Sequence, residues 1–335
     1  MDKLELKKHP LDESLGFSLD GKFQEAHDIL KSLSQNDLRV IFNLGWHKMR
    51  NGDFLGGMDN LNAGRFINCF GLPPIKGKIW GGEDLDNKTL LFRCEGGFGD
   101  QILNFRFANE FKNMGARVII SCDPAIAGLF SNNGFICVSN DVAENVYYDY
   151  WVPAMSAAYV LNHTYDSLSG KKYITANKKN LYSKKNTLKV GIRWSGNPEF
   201  EHEHHRRFDP YHMIDLNEIE GITLYSLQRD ENIIEGLPFP DMKNEMKTWQ
   251  DTADIVNSMD LVITSCTSIA HLSAALGIET WIVVPILPYY TWALPGDKSP
   301  WYNSVKIFRQ EKYGEWDSPF KKLTEELIKK VGENK

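Results

Sequence analysis

The feature that most restricts this chain is an alternation of apolar strands and helical segments that starts twice. The first run begins with Lys88-Thr-Leu-Leu-Phe-Arg-Cys-Glu95, a strand. The turn Gly96-Gly97-Phe98-Gly99 follows, then a helix predicted over Asp100–Met114 with apolar residues at Ile102, Leu103, Phe105, Phe107 and Phe111. A strand over Ala116–Cys122, a helix over Pro124–Phe130 and short apolar segments near Ile136 and Tyr150-Trp151-Val152 continue the run. The polar, lysine-rich stretch Ala176–Thr187 interrupts it and reads as a linker. The alternation then restarts, with strands expected at Leu188–Trp194, Ile222–Leu227, Leu261–Thr264 and Thr280–Val284. Helices are expected near Asp209–Ile219, Trp249–Met259 and Ser268–Leu276. Strand-helix-strand order calls for parallel sheets with crossover helices, so the expected fold class is α/β: two tandem Rossmann-like lobes with a ligand crevice between them.

Ahead of the alternation, apolar positions recur at helix spacing in Phe23, Ala26, Ile29, Leu30 and Leu33, and again in Val40, Ile41, Leu44 and Met49. Leu44-Gly45, Gly52, Phe54, Gly57 and Leu61 fall at the offsets of a tetratricopeptide helix pair. Gly21, Phe23, Ala26 and Leu30 repeat its second half roughly 31 residues earlier. One and a half degenerate repeats and an ordinary helical cap both fit this pattern. Either form must pack on the lobes C-terminal to it, since such helices cannot bury their apolar face alone. The expected organisation is a helical, tetratricopeptide-like segment over residues 1–75, one Rossmann-like lobe over 76–175 and a second over 188–335, the pattern changing at Pro73-Pro74.

A length of 335 residues, 42% hydrophobic and 24% charged, suits a soluble chain with a large core. The net charge of -6 argues against a broad phosphate-backbone surface, and hence against a nucleic-acid partner, while leaving room for a local basic pocket. Five cysteines form no C-x-x-C pair and point to the reducing cytoplasm. The first 20 residues hold no apolar run of signal length. The most apolar stretch, Trp281–Leu287, contains Pro285 and is too short to span a bilayer, so no transmembrane segment is expected. Of nine tryptophans, Trp249, Trp281, Trp292, Trp301 and Trp316 crowd the C-terminal region.

Three segments carry chemistry. Glu95-Gly-Gly-Phe-Gly-Asp100 ends a strand and opens a helix, where glycines permit close approach to a ligand and free N–H groups favour an anion. It lacks the third glycine of the dinucleotide fingerprint, and Asp100 would repel a pyrophosphate; its carboxylate serves as a helix N-cap, as a base facing the crevice, or as both. In Asp260-Leu-Val-Ile-Thr-Ser-Cys-Thr-Ser-Ile-Ala-His271, a strand runs into hydroxyls at a helix start. Thr267 and Ser268 can donate hydrogen bonds to phosphate oxygens there, and His271 either reaches the same anion or is a satisfied core histidine. Gly191-Ile-Arg-Trp-Ser195-Gly-Asn197-Pro198, with the following Glu-Phe-Glu-His-Glu-His-His-Arg206-Arg207, offers two arginines suited to a diphosphate, or a solvated pair of loop charges. A zinc cluster at His202, His204 and His205 is disfavoured because adjacent histidines without phasing seldom converge, so no metal is expected. Gln228, closing the next strand, is a candidate base or sugar contact. Trp292 and Trp301, in the loop after the last assigned strand, are candidates for stacking on a sugar or base, with plain lobe packing as the alternative.

Taken in order, the blocks Trp80-Gly-Gly-Glu, Glu95-Gly-Gly-Phe-Gly-Asp, Val190-Gly-Ile-Arg-Trp-Ser-Gly-Asn-Pro, Ser226-Leu-Gln, Asp260-Leu-Val-Ile through Ala270-His-Leu-Ser-Ala-Ala-Leu-Gly, Ser299-Pro-Trp-Tyr and Phe308-Arg-Gln resemble the GT-B glycosyltransferases of the heptosyltransferase type, glycosyltransferase family nine. The resemblance runs from about Ile79 to the end, and is greatest to bacterial and phage proteins that join tetratricopeptide repeats to such a domain. It implies transfer of a sugar from a nucleotide diphosphate donor in the C-terminal lobe to an acceptor hydroxyl, on a glycan or a protein, entering by the N-terminal lobe. The transfer would be inverting and without metal or further cofactor. Asp100 matches the family's Gly-Asp carboxylate, the general base, with Gly97, Gly99 and Gln101 as the acceptor-side loop. Ser195, Asn197, Arg206, Arg207, Gln228, Thr267, Ser268 and His271 fall on the donor side. Many relatives carry Asp-Thr where this chain has Cys266-Thr267, which leaves the donor's identity open. A nucleotide-binding scaffold that keeps the fold without turnover, docking through its helical N-terminus, is the alternative. A Rossmann oxidoreductase is disfavoured because its glycine pattern and ribose-binding acid are not in place.

Overall fold

The computed structural model describes residues 9–71, 75–200, 203–229 and 232–333. Pro73, Pro74 and His202 lie outside them.

The helical segment consists of α1 (Pro10–Leu19), α2 (Phe23–Ser32), α3 (Leu38–Arg50) and α4 (Phe54–Leu61). Asp37 and Asp53 begin α3 and α4 by accepting backbone N–H groups of Arg39 and Gly56, both at 2.9 Å, the usual work of an N-cap carboxylate. Gly45 and Gly57 let the α3–α4 hairpin close: a side-chain carbon on Gly45 would lie 2.9 Å from the Gly57 carbonyl oxygen. This segment is helical as expected, and it does not stand free. The Arg65 guanidinium forks onto Glu95 at 2.7 and 2.9 Å and donates to the Ser156 hydroxyl at 2.9 Å, while the Gly96 N–H donates to the Phe70 carbonyl.

The first sheet contains β1 (Thr89–Arg93), β2 (Arg117–Cys122), β3 (Ile136–Ser139) and β4 (Tyr150–Pro153) in the order β3-β2-β1-β4, all parallel. Its helices are α5 (Phe98–Asn113), α6 (Pro124–Asn132) and the short α7 (Ala157–Val160). The second sheet contains β5 (Leu188–Arg193), β6 (Ile222–Ser226), β7 (Leu261–Ser265), β8 (Thr280–Val284) and β9 (Val305–Arg309) in the order β6-β5-β7-β8-β9, again parallel. Around it lie α8 (Glu203–Arg206), α9 (Tyr211–Ile214), α10 (Trp249–Val256), α11 (Ser268–Ala275) and α12 (Asp317–Glu333). β7 and β8 are buried throughout, which is why Leu261-Val-Ile263 and Trp281-Ile-Val-Val284 read as apolar runs: a parallel sheet is covered on both faces.

Sequence order reverses between β1 and β4 in one sheet and between β5 and β7 in the other, the switch points where open parallel sheets leave a crevice. One core cluster runs across the molecule from Phe54 through α5 and α6 to Trp249, Leu272 and Trp301, so α5 against α11 and α6 against α10 join the lobes through apolar contact. The predicted linker at Ala176–Thr187 is extended chain laid along the second lobe. Asn177, Lys179 and Lys184 donate backbone N–H groups to Asp254, Ser258 and Thr223. The predicted helix at Asp209–Ile219 shrinks to α9 and a 3-10 turn over Asp215–Glu218, because Pro210 and a short connection to β6 leave room for little more. β9 and α12, which are not among the elements expected from the sequence, complete the second lobe; in α12 the buried Phe320, Leu323, Leu327 and Val331 recur at helix spacing. No helix among the described residues is long and apolar enough to cross a membrane.

Candidate functional site

The loop between β1 and α5 turns on Gly96, which adopts φ +71°; a side-chain carbon there would lie 2.5 Å from the Asp100 Oδ2. α5 begins two residues before the predicted start, with Gly97 as its N-cap. Asp100 is therefore the third residue of the helix and not its cap: its Oδ2 accepts the Gly97 N–H at 2.9 Å, the returning half of a capping box. Its other oxygen, Oδ1, accepts a 2.5 Å hydrogen bond from the hydroxyl of Tyr289, in the loop after β8. Burial pushes the Asp100 carboxyl above the usual carboxylate range, opposed by Tyr289, the Gly97 N–H and the Arg206 charge.

Opposite this helix start stands that of α11. Thr267 is its N-cap, with its hydroxyl 3.2 Å from the Thr264 hydroxyl, and the hydroxyl of Ser265 is buried without a hydrogen-bond partner. A side-chain carbon on Gly99 would lie 3.5 Å from the Ser268 Cα and 3.1 Å from His271 Cδ2, so the two N-termini meet directly. First-turn N–H groups have no acceptor within their own helix, and two helix dipoles present their positive ends here. Arg206 adds a full charge: Glu203 grips its Nε at 2.5 Å, and a guanidinium N–H donates to the Cys266 carbonyl. Glu203 also accepts the Gly196 N–H at 3.0 Å, locking the loop after β5 to α8.

Asp100, Arg206, Thr267 and Ser268 are thus brought together where the two switch points face each other, with Gly97 and Gly99 at the α5 start. Gln101 is buried and its Oε1 accepts the Asp123 N–H at 3.3 Å. Other candidates sit differently. Ser195 and Gln228 face each other: the Gln228 amide accepts the Ser195 N–H at 3.2 Å and donates to its hydroxyl at 2.9 Å, so Gln228 shapes the loop after β5. Asn197 is exposed on that loop, where its side chain accepts the Glu199 N–H. Arg207 is exposed and turned away from Arg206. It lines a surface depression of about 510 Å³ with His204, His205, Phe208, Tyr313 and Trp316, and Asp100 is not part of that depression.

His271 is 4% exposed, bonded through Nδ1 to the Tyr302 hydroxyl at 3.0 Å and stacked on Trp292 with ring centroids 5.2 Å apart. Burial, with the charges of Arg106 and Arg206, pushes it down to about 3, so at neutral pH it is uncharged and of the satisfied core type. Trp292 and Trp301 correct the stacking expectation. At 1% and 0% exposure they offer no face to a ligand, because Trp292 donates its indole N–H to Cys266 Sγ at 3.1 Å and Trp301 packs on Phe54 and Tyr290. Of the weighed metal cluster, His205 is bonded to the Tyr313 hydroxyl, His204 is exposed and His202 is not among the described residues. Among the described residues no three His, Cys, Asp or Glu side chains converge on a metal position.

Tyr289, Glu203 and Arg106 escape the sequence reading. Arg106, buried on α5, donates to the Trp301 carbonyl at 2.7 Å across the lobes and lies over the rings of Tyr173 and Tyr302. For Glu203 the local signal is its position three residues before Arg206, the spacing of a helical ion pair; nothing local signals Tyr289.

No family model matches the chain. By sequence it is similar to Protein FlbA of Caulobacter vibrioides, at 23% identity over 286 residues and 72% of this chain; the chain spans about half the length of that relative, 47%. By structure it is similar to the dodecameric iron-containing heptosyltransferase TibC from enterotoxigenic E. coli, solved with ADP-D-beta-D-heptose, at a TM-score of 0.52 and 12% identity over 75% of this chain and 78% of that one. It is similar also to a glycosyltransferase family 9 protein from Veillonella parvula, at 0.52 and 11% over 76% and 99%. The ADP-heptose lps heptosyltransferase II of E. coli is similar too, at 0.50 and 10% over 73% and 99%. The shared property is the fold: two α/β lobes with parallel sheets.

Proposed function

We propose that the protein is a glycosyltransferase of the heptosyltransferase type, moving a sugar from a nucleotide diphosphate donor to an acceptor hydroxyl. The observation that carries this reading is the convergence of the α5 and α11 N-termini on Asp100 and Arg206. In the proposed step the acceptor oxygen bonds to the anomeric carbon as the bond from that carbon to the diphosphate breaks, with inversion. The acceptor proton passes to Asp100, whose raised affinity for protons makes it a better base than an exposed carboxylate. The departing diphosphate is neutralised by Arg206, the Thr267 and Ser268 hydroxyls and the α11 N–H groups, an arrangement that supplies positive charge without metal. The lobes touch at Gly99 and Ser268, so the donor enters when they part. The acceptor, a glycan or a protein hydroxyl, approaches from the side of the first lobe, and the helical segment is of the tetratricopeptide kind. TibC was solved in complex with ADP-D-beta-D-heptose, which makes an ADP-sugar the first donor to try.

A second reading, a nucleotide-binding scaffold without turnover, is favoured by Cys266. Its thiol is turned into the core against Trp292 and offers no carboxylate to a ribose. Thermal stabilisation across nucleoside diphosphates and NAD(P), followed by donor-sugar release, separates the readings. Transfer requires stabilisation by a nucleoside diphosphate and release from at least one of its sugars. Stabilisation by NAD(P) alone refutes it, and diphosphate binding with no release from any sugar supports the scaffold.

A further inference from the structure

The loop that reaches Asp100 is held from outside by the N-terminal helices. From α3, the Trp46 indole N–H donates to the Pro288 carbonyl at 2.7 Å and Arg50 donates to the Ala293 carbonyl at 3.2 Å, its guanidinium lying 3.8 Å from the Phe23 ring centroid. From β9, Arg309 donates to the carbonyls of Trp292 at 2.7 Å and Leu294 at 2.5 Å. The loop's carbonyls thus face these donors while its side chains face the reaction centre: Tyr289 bonds to Asp100 and Trp292 to Cys266. A hydrogen bond of 2.5 Å tolerates displacements of a few tenths of an ångström, so whatever fixes residues 288–293 fixes Tyr289 against Asp100.

We propose that the N-terminal helical segment is part of the reaction centre's support: Trp46 and Arg50 anchor the loop so that Tyr289, as a positioning residue, orients the Asp100 carboxylate. This rests on Asp100 being the base in the proposed sugar transfer. The titratable and charged groups facing Asp100 are Tyr289 and Tyr290 from the loop after β8, Arg206 from α8 and, beyond Gly99, the uncharged His271 from α11. Loss of the Tyr289 hydroxyl leaves the carboxylate with the Gly97 N–H and the charge of Arg206, and shifts its titration upward.

The test is a carbon-13 carboxyl NMR titration of the unliganded full chain, with the Asp100 resonance assigned by its loss in Asp100→Asn. Tyr289→Phe, nearly isosteric, is expected to raise the Asp100 midpoint by about one pH unit. Trp46→Phe is expected to raise it in the same direction by about half as much, since the loop loses one of its anchors while keeping the others. Trp281→Phe, a core substitution on the far face of the second sheet, serves as the stability control and should leave the midpoint in place. An unmoved midpoint in Tyr289→Phe overturns the role of Tyr289. A midpoint moved by Tyr289→Phe and not by Trp46→Phe overturns the role of the helical segment. The expected shifts in a chain that turns over no sugar donor would uphold the support and overturn the glycosyl-transfer reading instead.

Discussion

Replacing Arg65 by Met should cost about 3 kcal/mol of stability, because it strands a buried charge. The Glu95 side chain is 3% exposed and that of Arg65 8%, and the pair is bidentate at 2.7 and 2.9 Å. Removing one partner of a buried pair costs roughly 3–5 kcal/mol, chiefly through the uncompensated charge left behind. Two neighbours place this case at the low end. Glu95 also accepts the Met155 N–H at 3.4 Å, and the buried Arg93 guanidinium is close enough to interact with it. Ser156, for its part, keeps its 2.5 Å bond to Asn62 once Arg65 is gone. The assay is urea unfolding followed by tryptophan fluorescence. With a denaturant slope near 3 kcal/mol per molar, the midpoint should fall by about 1 M. The double variant Arg65→Met, Glu95→Gln should recover at least about 1.5 kcal/mol of the summed single losses, since neither charge is then left alone. A coupling below about 0.5 kcal/mol would refute the view that this ion pair pins the helical segment to the β1–α5 loop.

Arg206→Met should weaken nucleoside diphosphate binding about tenfold to a hundredfold by calorimetry, while Arg207→Met, at the exposed residue just past α8, should change it by less than about twofold. Acid sensitivity comes from His271: the fold holds it neutral, with its affinity pushed down to about 3, whereas the unfolded chain protonates it near 6.5. Its contribution is complete above pH 6.5 and is lost as pH falls, by about 2 kcal/mol at pH 5. His271→Gln should remove about that much of the stability difference between pH 7 and pH 5, and an unchanged difference would show that the histidine is not held neutral.

The sequence displays most of what builds the lobes and little of what joins them. β7 and β8 are legible because burial on both faces leaves the apolar runs Leu261-Val-Ile263 and Trp281-Ile-Val-Val284, and the turn at Gly96 because only glycine is at ease at its φ of +71°. Asp100, Thr267 and Ser268 stand at strand ends, where a motif marks them. Tyr289 lies 189 positions from Asp100 in a loop with no periodicity, so nothing local links them. Adjacent arginines look alike in a sequence, yet Arg206, the last residue of α8, turns inward to Glu203 while Arg207, just past the helix, is exposed. Trp292 and Trp301 mislead because a tryptophan after a strand end suits a ligand face or a lobe interface equally, and only Arg106, Phe54 and Cys266 reveal that this is the interface.

The proposed mechanism turns on Asp100 taking a proton from an acceptor while other groups hold the donor. Sugar transfer and nucleoside diphosphate affinity, measured on the same preparations of wild type and Asp100→Asn, separate these two duties. Transfer should fall by about a hundredfold to ten-thousandfold while the dissociation constant of the diphosphate changes by less than about threefold. Transfer at the wild-type rate by Asp100→Asn would contradict the assignment of Asp100 as the base.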